Sequence, residues 1–474
     1  MVGAGAALSL AVAVALFSRY GIDGTLSRDE AIYAYGGLQV DHGVPFYASI
    51  FDPKTPGAAY VAGLGAALGG LDGIRVAFFV CACLTVVAVF LLALELWGSV
   101  LAGLIAAVAF ASFRGFAMDA LSGPDAKTPG ILMAVVSMLL MARRRWFWAA
   151  LCGSLAFLVW QPLAIFPAVA VVASRRWRAV AGAALPLAVT VVYFWATGAL
   201  GDFVQAAFAF PVEGLHRGST SLLHRVGHIA AIVREHYHGA VIQFWAGLAL
   251  VAVLAAWKRK WVVLAPLAAI VAFSIHDFQG YPDVYPLLPF AALGLGGAAA
   301  LVLRARVLRT TVVVLAALMT LAAWTQFSTD PAAGDPLVAQ RAAAADLQHL
   351  LRPGETIYAL GDPAPLVLTG RTNPSRFIYL GSGVSLWDFA HTPGGFAGWK
   401  ARLRAARPAI IVVHGWKGPY ERRVTAWLKR VGYQPSWDGC WKVFLRPDVA
   451  VRNPERPQAD RALCVPLRRA AARG

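Results

Sequence analysis

The first polar stretch of the chain, "SRDEAIYAYGGLQVDHGVPFYASIFDPKTPG" at 27–57, carries ionisable groups of both signs directly after an apolar segment. Asp29 and Glu30 are adjacent, and Asp52 and Lys54 follow among aromatic, glycine and proline residues. A carboxylate in such a setting can act as a general base on a hydroxyl group, and a lysine can hold a phosphate group as a point charge. The stretch therefore combines groups that could activate an acceptor with a group that could stabilise a phosphate.

Three later segments, each next to an apolar run, carry similar groups. They supply Asp119, Asp125, Lys127, Gln161, His276, Asp277, Gln279, Tyr281 and Asp283. Simple solvation is the alternative for any one of these residues, but four segments of the same character favour a shared site. We predict that one cavity at the outer membrane boundary is lined by Asp29, Lys54, Asp125, Gln161 and Gln279.

Two histidines in a later loop have a spacing that could hold a metal. His224 and His228 lie four residues apart on a predicted helix, and a metal site would need a further ligand. Without that ligand, such a pair is more often the solvated face of a helix. The sequence therefore assigns no cofactor and leaves a divalent metal open.

The composition indicates an integral membrane protein. Hydrophobic residues make up 59% of the 474 residues and charged residues only 14%, whereas soluble domains carry about 25% charged residues. The formal net charge is +17, which cytoplasmic loops of membrane proteins explain because they collect Lys and Arg. No basic segment carries a nucleic-acid-binding motif, so nucleic acid is not an expected partner.

Apolar runs of near-bilayer length predict about eleven transmembrane helices. They lie near 2–19, 74–95, 97–113, 128–142, 146–159, 162–174, 179–198, 241–257, 261–276, 285–303 and 308–326. The segment 56–70 is apolar but short and rich in glycine, so we interpret it as an interfacial or re-entrant helix. The predicted fold class is a polytopic α-helical membrane protein.

The distribution of charge predicts the orientation of these helices. Basic clusters at 143–145, 175–178, 258–260 and 304–309 follow alternate spans, which places them on the cytoplasmic side. Of the 14 acidic residues before position 328, only Glu95 falls on that side. The prediction is a multi-pass plasma-membrane protein whose first loop, about 20–73, and whose C-terminal region lie outside the cytoplasm.

The last 147 residues predict a separate extracytoplasmic α/β domain. Helical patterns at 342–351 and 420–432 alternate with strand patterns at 355–360, 376–382, 408–415 and 440–447. The predicted domains are therefore 1–327 in the membrane and 328–474 outside it. Cys440 and Cys464 fall in this outer domain, where disulfides persist, and we predict that they are bridged.

Four stretches of the sequence carry a resemblance to a known family. They are "RDEAIYAYGGLQVDHGVPFY", "FDPKTPGAAY", "GSLAFLVWQPLAIFP" and "QGYPDVYPLLPFAAL". They resemble the motifs of the glycosyltransferase-C (GT-C) superfamily. Within it, they are most similar to the family-39-like branch of polyprenyl- or dolichyl-phosphate-sugar mannosyltransferases and aminoarabinose transferases. The resemblance covers about 1–327.

The resemblance implies roles for individual residues. Asp29 matches the family's catalytic aspartate, and Glu30 is its neighbour, expected to orient the loop. Lys54 is expected to face the donor phosphate. Trp160 stands where many relatives carry a cation. We assign donor and phosphate binding to Lys54, Asp52, Asp125, Lys127, Gln161, His276, Gln279 and Tyr281.

The expected function is that of a membrane glycosyltransferase that inverts the anomeric centre, with Asp29 as general base. Its donor would be a polyprenyl-phosphate sugar, mannose-like or another hexose or pentose, and its acceptor an extracytoplasmic glycan, lipid or protein. The alternatives are a membrane transporter and a non-catalytic cell-envelope assembly protein. A transporter would favour polar breaks near the middle of the membrane, whereas the polar groups here are predicted at one face.

Overall fold

The computed structural model describes residues 1–22, 24–213, 221–278, 280–302, 307–329, 337–416, 419–437 and 440–453. Within these ranges the chain is mostly helical, with one small sheet near the C-terminal end. The helices before position 330 are α1 (Val2–Phe17), α2 (Arg28–Asp41), α3 (Phe46–Ser49), α4 (Gly57–Trp97), α5 (Val100–Ala111), α6 (Arg114–Ser122), α7 (Lys127–Ala142), α8 (Trp146–Val159), α9 (Ile165–Ser174), α10 (Trp177–Ala196), α11 (Leu200–Val204), α12 (Phe210–Glu213), α13 (Leu222–Tyr237), α14 (Val241–Trp257), α15 (Trp261–His276), α16 (Leu288–Val302) and α17 (Val307–Ser328).

Apolar helices occupy the eleven predicted positions. By length and composition, four of the described helices could each cross a membrane: Val2–Tyr20, Gly57–Trp97, Trp177–Ala196 and Tyr281–Val302. The pair Val100–Ala111 and Arg114–Ala120, bent by 74°, could form a fifth span. Six shorter apolar helices complete the set: Lys127–Ala142, Trp146–Val159, Gln161–Ser174, Val241–Trp257, Trp261–His276 and Val313–Ser328.

The predicted separate helix at 56–70 is the first part of α4. The backbone leaves the helical conformation at Gly69 and Gly70, where φ of Gly70 is +60°. A Cβ atom added to Gly65 would lie 2.6 Å from Ile74 Cα, so the two parts of α4 pack closely across this break. The break separates a short helix of the first loop from the long apolar helix that follows it.

Three of the predicted basic clusters form tight turns between consecutive helices. They are the turns after α7, after α9 and after α14, where Arg144, Arg175 and Arg259 each adopt a positive φ. Glu95, near the end of α4, pairs with Arg143 of the first of these turns at 2.9 Å. Glu95 and Arg143 therefore lie at the same end of the helical region, as their common side in the predicted topology requires.

The described residues of the C-terminal α/β domain form six helices and a four-stranded sheet. The helices are α18 (Leu337–His349), α19 (Ala364–Thr369), α20 (Val384–His391), α21 (Gly395–Ala406), α22 (Pro419–Arg430) and α23 (Pro447–Arg452), and the strands are β1 (Ile357–Leu360), β2 (Ile410–Val413), β3 (Gln434–Trp437) and β4 (Lys442–Leu445). The strand order is β1-β2-β4-β3, with β1 and β2 parallel and the other pairs antiparallel.

One predicted strand is wrong and one strand is missed. Residues 376–382 form no strand, since the Arg376 carbonyl accepts from Phe51 N–H and the Ile378 carbonyl accepts from Gly361 N–H. These bonds join the segment to the first loop and to the end of β1 instead of to a sheet ladder. The missed strand, β3, has the sequence "QPSW", in which proline is confined to an edge position.

The sheet is apolar on both faces, and one face continues into the core of the helical region. Ile357, Ile410 and Val443 belong to the same contiguous cluster of buried side chains as residues of the first loop. Alternate positions, such as Tyr358, Ile411 and Phe444, pack against the helices of the domain. This period of two follows from the pleat of a strand. The domain is therefore packed onto the first loop through one face of its sheet.

The described cysteines are of two kinds. Cys81, Cys83 and Cys152 are free and lie in apolar helices. Cys440 is disulfide-bonded. Cys464 lies outside the described residues.

Candidate active site

The N-terminus of α2 positions Asp29 and Glu30. Ser27 caps the helix by accepting a hydrogen bond from Glu30 N–H, and the Glu30 carboxylate accepts one from Ser27 N–H at 2.8 Å. This reciprocal capping box fixes the first turn of the helix. It turns Glu30 inward, where it is 9% exposed, and leaves the Asp29 side chain 66% exposed. Asp29 therefore faces solvent at the helix N-terminus.

Hydrogen bonds to the backbone of Lys54 fix its position in the first loop. Its carbonyl accepts from the Tyr47 hydroxyl at 2.6 Å, and its N–H donates to Asp52 Oδ1 at 3.1 Å. The ammonium lies 3.9 Å from the buried Asp52 carboxylate and 5.5 Å from the centre of the Tyr33 ring. With 29% of its side chain exposed, Lys54 keeps access to a ligand.

Gln161 contacts the segment that carries Lys54. The chain is extended at Trp160 and tightens to a 3₁₀ turn over Gln161–Ala164, because Pro162 cannot continue the preceding helix. Gln161 Nε2 donates to the Pro53 carbonyl at 2.6 Å and to the Ala207 carbonyl at 3.1 Å. Gln161 therefore links the 3₁₀ turn after α8 to Pro53, the residue directly before Lys54.

Lys127 is the first residue of α7, and Asp125 lies two residues before it. Asp125 Oδ1 accepts from Lys127 N–H at 2.7 Å, a local turn that satisfies one of the first N–H groups of the helix. The Lys127 ammonium pairs with Asp283 Oδ1 at 3.2 Å and lies 5.2 Å from the centre of the Trp160 ring. The aromatic residue at position 160 thus contacts a cation contributed by another segment.

Asp119 is a buried carboxylate held by two tyrosines. Tyr281 donates to its carboxylate at 2.9 Å, and the Tyr285 hydroxyl contacts the same carboxylate and lies 2.8 Å from the Gly115 carbonyl oxygen. His236 stacks on Tyr281 with ring centres 4.3 Å apart. The predicted site residue Tyr281 therefore supports a carboxylate.

The burial of Glu30 changes its titration. Burial raises the pKa of Glu30 to about 7, with Asp125 adding to the rise and the Ser27 hydrogen bond and Arg75 opposing it. A Cβ atom on Gly123 would lie 2.1 Å from Glu30 Cδ, so the carboxyl group rests directly against the loop before Asp125. Glu30 therefore changes charge near neutral pH.

Electrostatic interactions link the remaining predicted residues. Burial lowers the pKa of Lys54, but the Asp52 carboxylate, Tyr33 and Asp29 raise it more, so the pKa lies well above its usual range. Burial raises the pKa of Asp125 against the opposing charges of Lys127 and Lys54. Asp29, Lys54 and Asp125 are thus close enough to influence one another, and Gln161 joins them through Pro53.

Not every predicted residue joins this group. His276 is exposed at the end of α15, where its carbonyl accepts from Arg225 at 3.1 Å. His224 is exposed on α13, and His228 contacts the ring of Phe278. Gln279 lies outside the described residues. Within the described ranges, no three His, Cys, Asp or Glu side chains are arranged to hold a metal ion.

Two residues of this region were not predicted from sequence. Arg75 is fully buried and donates to the carbonyls of Ile22 and Gly24, and its charge acts on Glu30. A lone arginine in an apolar helix is itself a signal of function or of a specific partner. Tyr285, which holds Asp119, carries no comparable signal, because tyrosine is common at the ends of membrane helices.

Comparison with known proteins identifies the fold. No protein-family model matches the sequence, and no curated protein matches it. ArnT from Cupriavidus metallidurans in the apo state is 15% identical, with a TM-score of 0.62 over 94% of this chain and 98% of that chain. ArnT from the same organism bound to undecaprenyl phosphate gives 15% identity and a TM-score of 0.63 over 92% and 97%. The apo oligosaccharyltransferase of Archaeoglobus fulgidus gives 14% identity and a TM-score of 0.52 over 87% and 69%.

These matches reach beyond 1–327, where the sequence motifs lie. Coverage of 94% of this chain includes most of the C-terminal α/β domain as well. ArnT, an aminoarabinose transferase, and the oligosaccharyltransferase are both GT-C proteins. This chain therefore has the GT-C membrane-protein fold, as the resemblance implies, with a C-terminal α/β domain attached to its helical region.

Proposed function

We propose that the protein is a membrane glycosyltransferase that moves a sugar from a polyprenyl-monophosphate carrier to an extracytoplasmic acceptor. The observation that carries the proposal is that an exposed carboxylate, Asp29, and a partly accessible cation, Lys54, lie close enough to interact electrostatically on a GT-C fold. ArnT has been crystallised with undecaprenyl phosphate, which supports a lipid phosphate as the carrier. The sugar is a hexose or pentose.

Asp29 is the proposed base because its side chain is far more exposed than the carboxylates around it. Asp52 accepts from Lys54 N–H, Asp119 accepts from two tyrosines, and Asp125 accepts from Lys127 N–H. Glu30 is turned inward by the capping box. Asp29, by contrast, presents most of its side chain to solvent beside Arg28.

In the proposed reaction Asp29 takes the proton of an acceptor hydroxyl while the oxygen of that hydroxyl attacks the anomeric carbon of the donor sugar. The bond between that carbon and the phosphate oxygen breaks on the opposite face, so the configuration inverts. The leaving polyprenyl phosphate carries the electron pair, and Lys54 stabilises its charge. Lys127, Gln161 and Tyr281 hold the surrounding loops in place.

The proposed orientation places the first loop and the C-terminal α/β domain outside the cytoplasm, with the division near residue 327. Single cysteines test it in a variant whose Cys81, Cys83 and Cys152 are replaced by serine. A cysteine at Lys429, exposed on α22, should react with an impermeant maleimide in intact cells. A cysteine at Arg144, exposed in the turn after α7, should react only after permeabilisation. The reverse pattern would exclude this orientation.

Asp29→Asn tests the reaction. The gene is deleted from the strain that naturally carries it, and the strain is complemented with wild type, Asp29→Asn or Asp72→Asn. Cell-envelope glycans are then measured by mass spectrometry. Asp29→Asn keeps the shape and removes the base, so product should fall about 10²–10⁴-fold at equal membrane insertion. Asp72→Asn is the matched control, since Asp72 is exposed and pairs with Arg341.

Two results would contradict the proposal. Full product with Asp29→Asn would move the base to another carboxylate. Unchanged envelope glycans in the deletion strain would exclude the transferase and favour a transporter or an assembly protein.

A further inference from the structure

Arg28, the residue before Asp29, joins the start of α2 to the C-terminal α/β domain. Its Nη1 donates to the Gly415 carbonyl at 2.5 Å, and its Nη2 donates to the Tyr379 hydroxyl at 3.4 Å. The guanidinium also lies over the Tyr379 ring, 4.6 Å from the ring centre. The same side chain donates through Nε to Asp29 Oδ1 at 3.4 Å. A single planar cation therefore contacts both the proposed base and a domain that begins more than three hundred residues later.

An exposed ion pair between neighbouring residues would by itself hold Asp29 weakly, because ordering two mobile side chains offsets most of the attraction. Arg28 differs from such a partner because the carbonyl of Gly415 and the ring of Tyr379 already fix its far end. The planar guanidinium spreads five N–H donors over three nitrogens in a rigid fork, whereas an ammonium carries its three donors on one nitrogen. Once Arg28 is fixed, it restricts the orientations open to the Asp29 carboxylate.

Gly415 is suited to this contact by its lack of a side chain. It follows β2, and its φ of +70° lies in the region that favours glycine. A Cβ atom at this position would also lie 3.1 Å from Arg28 Cδ. A side chain at 415 would strain the turn and displace Arg28.

The turn that carries Gly415 is anchored to the rest of the molecule. His414 N–H donates to the Leu360 carbonyl, which links the turn to the carboxyl end of the parallel strand β1. One face of the sheet belongs to the core shared with the first loop. Gln340 and Leu26 exchange two hydrogen bonds of 2.9 and 3.1 Å close to the start of α2. The domain is thus held against the first loop close to Arg28.

We infer that Arg28 is a positioning residue through which the Gly415 turn of the C-terminal α/β domain orients Asp29 for proton transfer. This inference rests on the proposed function, since it assumes that Asp29 is the base. It assigns the domain a part in the reaction: the carboxyl edge of its sheet completes the site from outside the helical region. Misplacing a catalytic group by about 1 Å can cost up to about 10²-fold in rate.

The test uses purified full-length protein, with donor lipid and acceptor membranes from the deletion strain. Arg28→Gln should lower kcat about 10-fold and leave the KM for the donor lipid within about twofold, because phosphate contact lies with Lys54. Arg28→Lys should stay defective, since Arg28 reaches Asp29 and Gly415 from two separate nitrogens and lysine has only one. Gly415→Ala should reproduce the Arg28→Gln result, and combining the two should cause no further loss.

Gly370→Ala is the matched control. Gly370 lies in the same domain with φ of +65°, but nothing lies within 4 Å of an added Cβ atom. It should keep the wild-type rate, and thermal unfolding should confirm that every variant is folded. If Gly370→Ala lowered kcat as much as Gly415→Ala, the effect would come from backbone strain, and the inference would be overturned.

Other results separate this inference from the proposed function. Wild-type kcat in both Arg28→Gln and Gly415→Ala, beside an inactive Asp29→Asn, would reject the positioning role alone. Losses that multiply in the double variant, or full activity in Arg28→Lys, would also reject it. An active Asp29→Asn would reject the proposed base, and this inference with it.

Discussion

The ammonium of Lys127 lies 3.2 Å from the carboxylate of Asp283, and both side chains are nearly buried, at 8% and 11% exposure. The pair joins the start of α7 to the 3₁₀ turn before α16. Lys127 is therefore buried against its anionic partner, whereas Lys54, although 3.9 Å from the Asp52 carboxylate, keeps 29% of its side chain exposed. From this difference we propose that Lys127 is a structural cation and that Lys54 binds the phosphate.

Asp283→Asn should destabilise the protein strongly. Removing one partner of a buried pair leaves a buried charge without compensation, which costs about 3–5 kcal/mol. Thermal unfolding in detergent measures the change. The control is Asp72→Asn, which breaks an exposed pair with Arg341 and should cost about 0–1 kcal/mol. Equal shifts for the two variants would show that the Lys127–Asp283 pair is not effectively buried.

Lys54→Gln should weaken binding of undecaprenyl phosphate. Losing a hydrogen bond to a charged group costs about 1.5–3 kcal/mol, so we expect the affinity to fall about 10- to 100-fold. Native mass spectrometry on the purified protein can measure it, with an undecaprenol that lacks the phosphate as the second ligand. The control variant is Lys258→Gln, which removes the same charge in the turn after α14. Equal loss for both ligands would show that Lys54 acts on the lipid chain or on the fold.

Glu30→Gln should remove a pH dependence of stability. Glu30 titrates near 4.5 in an unfolded chain and at about 7 in the folded protein, so the folded state binds the proton more tightly. Its contribution to stability is therefore greatest at low pH and decreases as pH rises from about 4.5 to about 7. Glutamine preserves the capping box. The variant should have a flatter Tm profile between pH 5 and 8 and a higher Tm than wild type at pH 8. A profile parallel to that of wild type would place the titration elsewhere.

Cys440→Ser should release one further thiol. In denatured protein without reductant, maleimide should label Cys81, Cys83 and Cys152, since Cys440 is disulfide-bonded. The variant should label one additional cysteine, which peptide mass spectrometry should identify as Cys464. Loss of the bridge should also lower stability by about 3 kcal/mol in the chain-entropy model. Five labelled thiols in the untreated wild type would contradict the bridge.

The sequence by itself determined the helical framework of this protein. Membrane-length apolar runs and basic turns are local features, and the eleven predicted positions all carry apolar helices. The capping box of Ser27 and Glu30 is also local, because it joins residues only three positions apart. The strand prediction at 376–382 failed because its carbonyls bond to the first loop and to the end of β1, both distant in sequence.

Tertiary structure alone decided which charged groups are available for chemistry. Asp119 and Asp29 look alike in sequence, yet tyrosines more than 160 residues away hold Asp119, while Asp29 stays exposed. Lys127 and Lys54 are distinguished in the same way, because Lys127 is buried against Asp283, a residue distant from it in sequence. Arg28 and Gly415 are 387 residues apart. Burial and partnership depend on which distant segments the fold brings together, and no local pattern of residue types encodes that information.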